Sequence, residues 1–177
     1  MNDRIISAER IVSALRERKT FSEIQNIKSA IKHTKEIFKL VSKFIKPGKT
    51  EKEIAAYMKN EVEKRKLEFA WEPMVCPAVF TGPETAEAHY SPTDKKVERG
   101  HVLNMDFGVK VNGYCSDLQR TFYILEENET TAPPDVQKGF DTIIESIEKS
   151  KQAMKPGIVS KEIDAIARNI VIQNGYE

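Results

Sequence analysis

Two aspartates, Asp106 and Asp117, flank an Asn112-Gly113 pair. Asn-Gly between β-favouring runs is a strong hairpin signal. With those two as the turn, opposed positions sum to 225, so Gly108 faces Asp117 and Asp106 faces Gln119. Side chains alternate along a strand, so the two carboxylates share a face as diagonal neighbours, about 7–8 Å apart. A one-residue bulge would break that parity. Leu103, Met105 and Phe107 fall on the opposite face and read as core. Carboxylates backed by an apolar face need something to satisfy them. The candidates are a lysine or arginine, a hard or borderline divalent metal, or plain water on an open sheet face. His89 lies in the Gly- and Pro-containing stretch ahead of the hairpin, followed by Tyr90-Ser91-Pro92. Facing two carboxylates it would serve as proton donor or oxyanion partner; otherwise it is an ordinary loop histidine. His33 falls in a long helical pattern and His101 opens a strand, neither with an evident partner.

The elements that must position these groups are legible from periodicity and punctuation. Residues 7–18 read as a helix capped by Ser7, with Ile11, Val12 and Leu15 as its apolar stripe. A second helix runs from a cap at Ser22 to about Ile45, its apolar residues spaced by three, four and seven. Lys46-Pro47-Gly48 ends it, because proline cannot continue the ladder and glycine accepts a left-handed cap. A third helix spans about 51–66, with Thr50 and Glu53 forming a capping box. Residues 74–80 read as a strand, with Pro77 at an edge or bulge. Residues 101–109 and 114–125 are the hairpin strands, and 135–154 and 160–173 are helices.

Residues 46–62 and 155–171 match at nine of seventeen positions without a gap, at an offset of 109. That predicts a duplication in which each half begins with two helices separated by Lys-Pro-Gly. The strands following the first helix pair would recur after the second only with on the order of 60 residues beyond Glu177.

The 28 basic and 27 acidic residues leave a net charge of +1, without the basic excess of a nucleic-acid-binding domain. The length suits one domain with a real core. Cys76 and Cys115 form no CxxC pair and suggest no disulfide framework. No run approaches the roughly 18 apolar residues of a membrane span. A cytoplasmic protein without membrane or nucleic-acid partners is the default expectation.

His89-Tyr90, Glu98-Arg99-Gly100, Met105-Asp106-Phe107-Gly108 and Gly113-Tyr114-x-Ser116-Asp117-x-x-Arg120-Thr121-Phe122 together closely resemble the Xaa-Pro aminopeptidases and prolidases. The resemblance covers nearly the whole chain. It implies an α+β architecture, the pita-bread (creatinase/aminopeptidase) fold of two pseudo-symmetric halves. Residues 1–20 then resemble the lead-in from an absent N-terminal domain, and 21–177 a partial catalytic domain with halves at 21–125 and 131–177. It implies two divalent metal ions (manganese, cobalt or zinc) bound by Asp106 and Asp117, the latter bridging. It gives His89 a catalytic role against the tetrahedral intermediate, and Arg120 a role in supporting the sheet. The implied reaction is hydrolysis of an N-terminal peptide bond, preceding proline, by a two-metal-activated hydroxide. The family takes one histidine and two glutamates more from its second half, and no segment here matches those motifs. The chain alone is therefore expected to be inactive, and its uncovered edges predict a homodimer. The alternatives are a non-catalytic pita-bread binding module and a metal-free hydrolase on the same fold, such as creatinase.

Overall fold

The computed structural model describes residues 6–83 and 91–176. The chain divides into two compact units, Met1–Glu126 and Glu127–Glu177.

In the first unit the helices are α1 (Glu9–Glu17), α2 (Phe21–Phe44) and α3 (Glu51–Lys64). The strands are β1 (Glu68–Phe69), β2 (Ala78–Thr81), β3 (Val102–Phe107), β4 (Val109–Val111), β5 (Tyr114–Cys115) and β6 (Leu118–Tyr123). They form two antiparallel three-stranded sheets, ordered β2-β3-β6 and β1-β4-β5. Leu103, Met105 and Phe107 are fully buried, alternating with half-buried Asn104 and Asp106. They meet Ile37, Phe38 and Val41 of α2 and Ile54, Met58 and Val62 of α3 in one core. The Phe38 and Phe107 rings pack edge to face at 5.8 Å. Burying each such side chain contributes about 1.5–3 kcal/mol, so this layer of helices on sheet fixes which strand face is left open.

Several boundaries differ from the sequence expectation. The N-cap of α1 is Ala8, while the Ser7 hydroxyl accepts the Glu9 N–H one position further out (3.2 Å). The α2 cap is Thr20, not Ser22: Thr20 accepts from the Glu23 N–H, and the Glu23 carboxylate takes the Thr20 N–H in return. The strand expected over 74–80 begins only at Ala78, after a cis Cys76–Pro77 bond, and lies at its sheet's edge. β1 has no counterpart in the expectation. At α3 the capping box of Thr50 and Glu53 forms as expected.

Glu23 also links α2 to the hairpin, accepting the Tyr114 hydroxyl at 2.8 Å, while Asn112 donates to Asn26. The Thr20 hydrogen bonds, with that of Tyr114, lower the Glu23 carboxyl from 4.5 to about 2. A pKa depressed by folding contributes stability above the unfolded value that is lost as the pH falls through the folded one. The contact should therefore hold at pH 4.5 and fail toward pH 2. Glu23→Gln should flatten that stretch of the stability profile, read from urea midpoints at each pH; an unchanged profile would discard the link.

The second unit contains α4 (Pro134–Ala153) and α5 (Ser160–Gln173), packed on one another. Both bounds of α5 are those of α3 displaced by 109. Gly48 and Gly157, at the same offset, both have φ +88°. The turn hydrogen bonds from Lys49 to Lys46 and from Ile158 to Lys155 correspond as well, each 3.2 Å. The environments differ: Phe38 is 4% exposed, whereas its equivalent Ile147 is 52% exposed. No helix among the described residues is long and apolar enough to cross a membrane.

Candidate metal centre

Asn112 and Gly113 both adopt positive φ, +50° and +84°, as a two-residue hairpin turn requires. Val111 pairs with Tyr114, Lys110 with Cys115, Phe107 with Leu118 and Asp106 with Gln119. The same register therefore runs along both arms and no bulge intervenes. Asp106 is half-buried in β3 and pairs on its other side with Ala78 of β2. Two residues along β3, Asn104 accepts a hydrogen bond from Thr121 across the same open face (2.8 Å).

Asp117 belongs to neither strand. β5 ends at Cys115 and β6 begins at Leu118, so Ser116 and Asp117 form a break between the two sheets. Ser116 is buried and Asp117 and Gln119 are exposed. The Ser116 side chain points into the unit, where its hydroxyl lies 2.7 Å from that of Thr34 on α2. Gly108 lies opposite the break. Its carbonyl accepts the Ala70 N–H (3.1 Å) and the Cys76 thiol (3.5 Å). Burial is the main cause that raises the Cys76 thiol above its ordinary value, and the nearby Asp106 carboxylate adds to it. Cys76 and Cys115 are both free thiols. The Arg120 guanidinium lies 5.3 Å from the centre of the Phe38 ring, on the helix side of the sheet.

The donor chemistry suits a divalent ion in part. Carboxylate oxygens are the usual ligands of hard cations, and Asp106 and Asp117 supply them. Among the described residues, however, no group of three or more His, Cys, Asp or Glu side chains is arranged to hold a metal. His89 lies within 84–90, outside the described residues. His33 and His101 each stand 3.9 Å from a glutamate three residues away, Glu36 and Glu98.

Sequence reasoning missed Glu51. Its fully buried carboxylate accepts the Thr81 N–H on Oε1 (2.8 Å), and the Thr93 N–H (2.9 Å) and hydroxyl (2.7 Å) on Oε2. Those two threonines bracket residues 84–90. Only the capping box that starts α3 marked this position, and it says nothing of a contact 42 residues away.

An antiparallel sheet backed by two helices, followed in sequence by a second helix pair with the same internal spacing, defines the α+β pita-bread fold. The chain belongs to metallopeptidase family M24, whose family pattern matches residues 25–177. It is 30% identical over 166 residues to an uncharacterized peptidase of Staphylococcus epidermidis, covering 93% of this chain and 45% of that protein. A peptidase of Staphylococcus haemolyticus is 30% identical over 169 residues, 95% and 46% of the two chains. Among solved structures, the X-Pro aminopeptidase of Thermotoga maritima superposes with a TM-score of 0.83 at 31% identity, over 95% of this chain and 46% of that one. The prolidase of Pyrococcus furiosus gives 0.83 at 28% identity, over 95% and 48%. The chain thus spans about half the length of the proteins it matches.

Proposed function

We propose that this chain supplies the carboxylate strand pair of a two-metal aminopeptidase or dipeptidase that cleaves the bond before a proline in second position. The observation that carries this is the unbroken register through the hairpin. It sets Asp106 opposite Gln119, two residues from exposed Asp117, on the face turned away from the core. The likeness to an X-Pro aminopeptidase and a prolidase supports the substrate class.

Asp106 and Asp117 would hold two divalent ions (manganese, cobalt or zinc). Bound there, such ions supply Lewis-acid polarisation of the scissile carbonyl and activation of water near neutral pH. The protein's own part is to keep Asp106 on a sheet face, with Asn104 and Thr121 tied to each other beside it, and Asp117 in the break that opens β6. His89 would donate to the substrate oxygen that gains charge as the carbonyl is attacked. Arg120 braces the sheet against Phe38 from behind. Two carboxylates fill only part of two coordination spheres. The 177-residue chain by itself should therefore bind metal weakly and leave Xaa-Pro peptides uncleaved.

Titration with Mn²⁺, followed by paramagnetic broadening of backbone amide signals, tests the metal role. Broadening should centre on Asp106, Asp117 and Gln119 and disappear in Asp106→Asn and Asp117→Asn. Broadening spread over other acidic residues, indifferent to both substitutions, would discard the role. Metal-dependent peptide hydrolysis by this chain alone, abolished by Asp117→Ala, would show that its ligands suffice without others.

A further inference from the structure

Thr34 is a polar residue in an otherwise apolar stripe of α2, fully buried beside Ile37, Phe38 and Val41. Helix formation does not call for a hydroxyl there, and a buried hydroxyl left without a partner is destabilising. Its partner is the Ser116 hydroxyl, 2.7 Å away and in a residue only 2% exposed. Ser116 immediately precedes Asp117, so the contact reaches from α2 to the residue that opens the break between β5 and β6.

The hydrogen bonds around Ser116 show how the break is built. In a regular antiparallel pair, Val109 and Ser116 would exchange two backbone bonds. One is present, from the Ser116 N–H to the Val109 carbonyl (3.0 Å). The other is replaced: the Val109 N–H donates to the Ser116 side-chain Oγ (3.0 Å). The Ser116 hydroxyl in turn donates to the Val109 carbonyl (3.2 Å). With Thr34 as donor to Oγ, the single proton and both lone pairs of Ser116 are used. The Ser116 carbonyl, released from the ladder, turns over Gly108, where no Cβ stands in its way.

We propose that Thr34 and Ser116 are a positioning pair: their buried hydroxyl contact holds the 116–117 peptide out of the ladder and so sets where Asp117 stands relative to Asp106. The proposal rests on the metal role argued above. Thr34 and Ser116 touch neither metal nor substrate; they act through the backbone of Asp117. A shared metal site tolerates about 0.5 Å of displacement in its ligands. If the Thr34 hydroxyl is lost, only Val109 still holds the Ser116 hydroxyl, and the Val109 N–H can return to the Ser116 carbonyl, which would carry Asp117 with it.

The test is Mn²⁺ affinity, read from amide broadening at Asp106 and Gln119, in the 177-residue chain and in Thr34→Val, Thr34→Ser and Ser116→Ala. Thr34→Val keeps the side chain's shape and removes only the hydroxyl, so it carries the test should Ser116→Ala not fold. The expected result is about tenfold weaker Mn²⁺ binding in Thr34→Val, in the range seen when groups that orient metal ligands are removed. Thr34→Ser should restore it. A merely structural pair would lower the melting temperature of Thr34→Val and leave the Mn²⁺ affinity unchanged, which would overturn the proposal. An unsubstituted chain showing no broadening at the aspartates would instead remove the metal role, and this proposal with it.

Discussion

Replacing Gly108 by alanine is expected to cost the sheet-bearing unit about 3 kcal/mol or more, the range of severe backbone overpacking. The reason is space and not backbone torsion. Gly108 does not have the left-handed φ that favours glycine. A Cβ built on it would overlap the Ser116 carbonyl oxygen and stand 2.9 Å from the Cβ of Ala70. Neither obstacle is the end of a flexible side chain, so relief requires moving the β1 approach or closing the 116–117 break. Gly113, five residues on, is the control. Its φ is +84°, and nothing lies within 4 Å of the position a Cβ would take. Alanine there adds only left-handed strain of roughly 1–2 kcal/mol. Trp71 is the sole tryptophan and lies in the first unit, so urea unfolding followed by its fluorescence reports on that unit. Equal losses for the two substitutions would show that the crowding at Gly108 is not what holds the break.

The contrast between these glycines reflects what local sequence can and cannot encode. Asn112-Gly113 announces its own conformation, because few other residues accept two successive positive φ values. The hairpin register, and with it the pairing of Asp106 with Gln119, follows from that dipeptide. The bounds of α5 follow in the same way from the repeated Lys-Pro-Gly stop. The α2 cap is ambiguous in sequence because Thr20 and Ser22 each have a Glu or Gln three residues on. What decides it is the reciprocal bond between Thr20 and Glu23, reinforced by Tyr114 from 91 residues away. β1 is two residues long, too short to show a period of two. The run over 74–80 is apolar enough for a strand, yet its first residues turn instead, with the Val75 carbonyl taking the Trp71 indole N–H (3.0 Å). Ser116 is visible in the motif around Asp117, but its partner Thr34 lies 82 residues earlier, on another element. Contacts of that span leave no local pattern, and the positions that place the carboxylates depend on them.

Glu51→Ala is expected to destabilise the first unit by about 3–5 kcal/mol, the combined cost of donors left without their acceptor and of the cavity that opens. Glu51 opens α3, where the helix N-terminus favours a negative charge. Its carboxylate also gathers the N–H groups of Thr81 and Thr93 and the Thr93 hydroxyl, with no exposure to solvent. Alanine would deprive the fully buried Thr81 N–H and the half-buried Thr93 N–H of this acceptor, at about 1–3 kcal/mol for a buried donor and less for a half-buried one, and would open a cavity between α3 and the end of β2. Glu51→Gln separates charge from shape. It keeps the volume but replaces one acceptor oxygen with an NH₂ group, which in either orientation confronts a backbone N–H, of Thr81 or of Thr93. Glutamine should therefore recover only part of the loss, through the relieved cavity. The same Trp71-monitored urea titration decides the matter. If Glu51→Gln matched the unsubstituted chain, the three donors would have found other acceptors, and the carboxylate would not be what ties Thr81 and Thr93 to the start of α3.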